Sequence, residues 1–223
     1  MQEFVKFSNY NCIKNLIFDL DGTLIDSSAG VIEATNYALK AIGELPRNPM
    51  EIKRFIGCPL EEMFRNFSNK SYEQFWKYFQ ESGIEAIAVS AKPLDGANEV
   101  LYTLYRRGFK IGIGTTKMRI HVEKILKKLN WDIIVKTYVG GDDVARVKPA
   151  PDVYKKVMKL LEGDKTDSLV IGDTINDVIA ARTAGLPVFA VKSPFGDNKE
   201  LMRSNPDRIL NNLLELPAIL YHD

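Results

Sequence analysis

Residues 17–26 read Ile17-Phe18-Asp19-Leu20-Asp21-Gly22-Thr23-Leu24-Ile25-Asp26, or IFDLDGTLID. The apolar run Leu16 to Phe18 ends on two carboxylates separated by one residue. Short, wholly apolar runs of this kind form the inner strands of parallel sheets, and unpaired charge beside such a core is costly. The pair therefore calls for a cation, a metal or a ligand at the end of the strand.

The chain around this stretch alternates strand and helix signals. Helical periodicity dominates from Ser28 to Ser82, with Val31, Ala34, Tyr37, Ala38, Ala41 and Ile42 along one face, Ser27 or Ser28 as cap and Gly43 as stop. No convincing strand appears in this region before Lys92. From there the rhythm is β-α-β: strands are expected at 109–115, 138–139, 168–172 and 187–191, with helices at about 97–107, 151–161 and 175–184. This predicts an α/β protein, a Rossmann-like parallel sheet with helices on both faces. Residues 27–92 read as an inserted α-helical cap domain, and 1–26 with 93–223 as the core domain.

Thirty basic residues against 29 acidic ones give a net charge of +1, which offers no bulk field for nucleic acid or an anionic membrane. Cys12 and Cys58 are too few for a disulfide scaffold and read as reduced thiols. The start, MQEFVKFSNYN, lacks the apolar segment of a signal peptide, and no apolar run reaches the roughly 18 residues of a membrane span. A cytoplasmic protein is expected, as a monomer or homodimer.

In open α/β sheets, ligands bind beyond the carboxyl ends of the strands. The residues expected there are Asp19 and Asp21, then Thr115, Thr116 and Lys117, then Lys148 before Pro149-Ala-Pro151, then Gly172-Asp173-Thr174-Ile175-Asn176-Asp177. Four acids with only Lys148 as an evident cation call for a hard divalent metal with oxygen ligands, most simply Mg²⁺. Side chains in a first helical turn lean toward the N-terminus, so Asp177 can address the same site as Asp173. A metal, a hydroxyl, a lysine and backbone N–H groups together make a phosphate site.

DLDGTLIDS, the strand-terminal Thr115-Thr116-Lys117, the Lys148-Pro-Ala-Pro-Asp152 segment and GDTINDV resemble the four motifs of the haloacid dehalogenase superfamily, and the match covers nearly the whole chain. The chain is most similar to the phosphoglycolate phosphatase-like group, whose helical cap follows the first strand. The resemblance implies Asp19 as nucleophile, already ionised and needing no base, forming an aspartyl-phosphate. It implies Asp21 as the acid that protonates the leaving alkoxide and then the base that activates water. It implies Mg²⁺ held by Asp19, the Asp21 carbonyl and Asp173 with Asp177 in support, and phosphoryl oxygens held by Thr115, Thr116 and Lys148. The substrate expected from it is a small phosphorylated metabolite, a 2-phosphoglycolate-like phosphomonoester. Thr116 stands where these phosphatases often carry Asn.

Other readings compete. Dehalogenases and phosphonate-cleaving members lack an acid at the position of Asp21. Sugar phosphomutases keep it but tend to place His twelve residues after the nucleophile, where this chain has Val31. A signalling receiver domain orders its acids differently and has no cap, and a non-catalytic phosphate-binding module would be expected to lack some of these groups. In the cap, Arg54 and the turn Gly57-Cys58-Pro59 are candidates for reading the leaving group, with Gly57 permitting a close backbone approach. Phe75, Trp76 and Phe79 are expected in the cap's interior. His121 is expected to be solvated, and His222 belongs to the tail. Closure of the cap about hinges near 26–28 and 91–93 would exclude water.

Overall fold

The computed structural model describes residues 10–195 and 198–221; His222 and the first nine residues lie outside them. The chain begins with β1 (Asn15–Phe18) and β2 (Ile25–Asp26), followed by four helices: α1 (Ser28–Ala41), α2 (Pro49–Lys53), α3 (Leu60–Phe67) and α4 (Tyr72–Ser90). It returns through β3 (Lys92–Pro93) to α5 (Ala97–Arg106), β4 (Lys110–Gly114), α6 (Arg119–Lys128) and β5 (Thr137–Val139). A short 3₁₀ turn at Gly141–Asp143 leads to α7 (Asp152–Leu160), β6 (Ser168–Gly172), α8 (Ile175–Ala184) and β7 (Val188–Val191). The last elements are α9 (Asn198–Arg203), β8 (Arg208–Leu210) and α10 (Glu215–Leu220).

The main sheet has six strands in the order β5-β4-β1-β6-β7-β8, with every neighbouring pair parallel. Alternation along the strands divides the interior. Leu16 and Phe18 of β1, with Leu169 and Ile171 of β6, enter one apolar cluster shared with α5 and α6. Ile17 and Val170 enter the other, shared with α7 and α8. Both faces are therefore covered, as a parallel sheet requires. The first cluster continues without a break into the helical insertion through Ile52, Met63, Phe64 and Phe75, all buried.

β2 and β3 form an antiparallel ribbon in which Ile25 pairs with Pro93 and Asp26 with Lys92, so the chain leaves for α1–α4 and returns at one point. The sequence reading omits β2, because two residues carry no alternation to detect. It also omits β3, as short as β2, the three-residue β8, and the six-residue helices α9 and α10. The start of α1 departs from expectation too. Ser27 stands at the N-cap but makes no cap hydrogen bond; instead the Asp26 carboxylate accepts from Ser28 N at 2.8 Å. The Ser27 hydroxyl is committed to Asp21.

Candidate active site

β1 lies at the centre of the sheet, where the strand order reverses. Phe18 pairs with Ile113 on one side and Ile171 on the other. This register brings the residues just beyond β1, β4 and β6 to one edge, which is the crevice where ligands bind such sheets. Asp19, Thr115 and Asp173 are all buried there.

Asp19, Asp173 and Asp177 form a carboxylate cluster whose ligand atoms lie within 4.8 Å of one another. The Lys148 ammonium, fully buried, bonds Asp19 and reaches Asp177 Oδ1 at 2.6 Å. Asp177 also accepts from the Tyr154 hydroxyl at 2.6 Å, and its other oxygen takes Thr174 N at 2.9 Å and Thr174 Oγ1 at 2.6 Å. Burial pushes the Asp177 carboxyl up, but the Lys148 charge and these hydrogen bonds outweigh it and hold it below the usual carboxylate range. Burial opposes the charge on Lys148 as well, yet Asp177 and Asp19 raise its pKa above that of a free lysine. Burial pushes Asp19 up to about 7 against the pull of Lys148, with Asp177 and Asp21 adding to the rise. Asp173 is raised further, by burial and then by Asp177 and Asp19.

One lysine thus serves two of three buried acids. Asp19 and Asp173 are left crowded, and that donor set suits a hard divalent cation. Asp173 is oriented by Thr23 Oγ1, which donates to Asp173 Oδ1 at 3.0 Å. Gly22, at φ +85°, makes the approach possible: any Cβ there would strike the Asp173 carboxylate and come within 2.9 Å of Ser193 Oγ.

Asp21 is separate from this cluster. Its carboxylate bonds Ser27 Oγ and sits 3.1 Å from Lys117 Nζ, both side chains of the ion pair being buried. Asp21 and Lys117 line a cavity of about 410 Å³ that also touches Gly57, Thr116, His121 and Val31. Thr116 faces the helical insertion, with its Oγ1 3.5 Å from the Gly57 carbonyl. Gly57, at φ +90°, lets that turn rest near Thr174. Arg54 is exposed and stands outside the cavity lining.

The structure corrects the expectation for His121. It is only 2% exposed, and burial first, then Lys117 and Lys124, lower its pKa to about 3, so it is a neutral imidazole. The surface beside its helix is covered by the insertion rather than by water. Phe75 and Phe79 are buried as expected, while Trp76 lines the cavity. Lys117, Tyr154, Thr23 and Ser193 were not assigned roles from sequence. Two of them had a signal: Lys117 directly follows Thr115-Thr116 at a strand end, and Thr23 lies within the DLDGTLIDS stretch.

Residues 16–191 match the family model described as haloacid dehalogenase-like hydrolase. The chain belongs to the haloacid dehalogenase-like hydrolase family. It is 28% identical over 211 residues to the pyrophosphatase PpaX of Anoxybacillus flavithermus, a match spanning 93% of this chain and 97% of the relative. Among solved structures, a haloacid dehalogenase-like hydrolase from Bacteroides fragilis superposes with a TM-score of 0.85 at 27% identity, over 92% of this chain and 99% of that one. A predicted phosphatase from Clostridium acetobutylicum gives 0.83 at 28% identity, over 92% and 96%. With these relatives, the chain is an enzyme of the family's phosphatase kind. Among the described residues no helix is long and apolar enough to cross a membrane.

Proposed function

We propose that this enzyme is a Mg²⁺-dependent phosphatase that hydrolyses a small phosphorylated metabolite through an aspartyl-phosphate on Asp19. The observation that carries the reading is the division of labour between two acids. Asp19 lies in the buried cluster beside Lys148, while Asp21 lines the cavity at which a leaving group would depart.

In this reading an Asp19 oxygen bonds to phosphorus as the ester P–O bond breaks, and Asp21, which enters the step in its protonated form with substrate bound, gives that proton to the departing alkoxide. Water then attacks the phosphorus of the acyl phosphate and passes a proton to Asp21. The step releases inorganic phosphate and restores the Asp19 carboxylate. Lys148, Thr115 and the backbone N–H of Thr116 hold the phosphoryl oxygens, and Asp177 and Tyr154 hold Lys148 in position. Asp19, Asp173 and the Asp21 carbonyl would hold Mg²⁺, with Asp177 in support; bound there, the ion neutralises phosphoryl charge.

Residues 27–92 serve as cap and the remainder as core. The cap closes the cavity over Asp21 and keeps water from the first transfer. The thiols of Cys12 and Cys58 fit a cytoplasmic setting. Val31 lines the cavity at the position from which a phosphomutase would present its second base, and it supports hydrolysis over transfer. The test is phosphate release from a panel of phosphomonoesters with Mg²⁺ and with chelator. Turnover that needs Mg²⁺ and disappears in Asp19→Asn supports the reading; conversion of a sugar phosphate to its isomer without phosphate release would replace it with a mutase.

A further inference from the structure

The lining of the cavity beside Asp21 identifies the kind of group that leaves. Its wall is mainly apolar, with Phe55, Ile56, Leu60, Met63, Phe79 and Met118 contributing. At about 410 Å³ it falls within the roughly 300–1,000 Å³ of pockets that enclose organic ligands of drug-like size. Glycolate or a second phosphate would leave most of this wall uncovered.

The charges point the same way. Lys117 is the one cation in the lining among the described residues, and Asp21 already holds it at 3.1 Å. His121 is buried and neutral, so it adds no positive charge. The other charged lining residues, Glu61 and Asp142, are exposed carboxylates. Arg54, a candidate from sequence for reading the leaving group, is exposed and outside the lining. An anionic leaving group would therefore meet an apolar wall and three carboxylates with no uncommitted cation.

We propose that the leaving group is an uncharged, largely apolar organic group of about ring size, so that the substrate is a phosphomonoester of an apolar alcohol rather than 2-phosphoglycolate or pyrophosphate. This rests on the phosphatase reading above. The cap wall binds the apolar body by burial, and Asp21, which lines the same cavity, stands where the ester oxygen needs its proton. A hydrophobic pocket discriminates by about 10-fold or more for even small apolar additions, so a whole ring should be read clearly.

The test compares specificity constants, with Mg²⁺ present, for 2-phenylethyl phosphate, ethyl phosphate, 2-phosphoglycolate and pyrophosphate. The first three release alkoxides of comparable basicity and differ in apolar size and charge. A preference for 2-phenylethyl phosphate of at least about tenfold over all three others supports the proposal. Equal constants, or a preference for 2-phosphoglycolate or pyrophosphate, overturn it while leaving the phosphatase reading intact. Leu60→Arg, which puts a cation into the wall, should shift the ratio of constants toward 2-phosphoglycolate; an unmoved ratio counts against the cavity as the leaving-group site. If no ester is turned over, the phosphatase reading fails, and calorimetry with 2-phenylethylphosphonate and ethylphosphonate judges the cavity alone. Tighter binding of the phenyl compound by about tenfold sustains the apolar assignment, and equal binding removes it.

Discussion

Lys117 Nζ lies 3.1 Å from Asp21 Oδ2, with both side chains buried in the seam between the helical insertion and the sheet. Ser27, at the start of α1, completes the arrangement: its hydroxyl bonds Asp21 and lies 3.3 Å from Lys117 Nζ. Two segments far apart in the chain, 21–27 and the residues just beyond β4, thus hold one carboxylate in a fixed place. The pair positions the expected proton donor and also ties the first helix of the insertion to the strand edge.

Removing Lys117 should leave a buried charge without its main partner. Lys117→Ala is expected to lose about 3–5 kcal/mol of unfolding free energy, the usual consequence of breaking a buried pair from one side. Adding Asp21→Asn should recover part of that loss, so that the double variant is less destabilised than the sum of the singles. Urea unfolding of the four proteins measures the coupling; additive losses would show that the two side chains do not interact.

Asp19→Asn should stop turnover without unfolding the protein. Lys148 keeps its bond to Asp177, so the buried ammonium remains paired. Loss of a nucleophile should lower turnover by about 10⁴-fold or more. Phosphate release and thermal unfolding, measured on the same sample, decide the matter. A variant retaining a tenth of the activity would remove Asp19 from the nucleophile's role.

Metal binding should appear as stability. Mg²⁺ at 100 times its dissociation constant should add about 2.7 kcal/mol, or roughly 5–10 °C in Tm for a chain of this size. Asp173→Asn removes one of the crowded, raised carboxylates. That variant should unfold no earlier than wild type in chelator yet show little Mg²⁺-induced shift. An undiminished shift would move the metal away from Asp173.

His121 should make the protein sensitive to mild acid. Burial holds its folded pKa at about 3, against 6.5 for the ordinary side chain. Between those values the unfolded chain binds more protons than the folded one, so stability rises with pH and is lost as pH falls from 6.5 toward 3. This one residue should account for about 2 kcal/mol of the loss between pH 7.5 and pH 5. His121→Gln should remove that component, measured as the difference between the two proteins' urea midpoints at each pH. Parallel pH profiles would mean that the imidazole protonates freely in the folded state.

The sheet and the family were legible because they depend on local signals. Apolar runs such as Leu16 to Phe18, the helix stop at Gly185, and the acids that follow β1 and β6 lie close together in sequence and keep their meaning in any context. Several very short strands, β2, β3 and β8, were not legible, since two or three residues carry little periodicity of their own. Asp19, Asp173 and Lys148 could be nominated because strand ends in such sheets converge. Tyr154 could not: it sits on an ordinary apolar helix face, and only folding brings its hydroxyl 2.6 Å from Asp177.

By itself, then, the sequence determined the α/β fold, the set of acids at the strand ends and membership of the hydrolase family. Only the tertiary structure decided which partners those acids take. Whether Lys148 serves Asp19 and Asp177, whether Lys117 holds Asp21, and whether His121 meets water all depend on contacts between distant segments. The apolar wall facing Asp21 is likewise a product of the helical insertion meeting the segments at the sheet's edge. Local periodicity shows which face of a helix is apolar, but what covers that face is settled by packing across the whole chain.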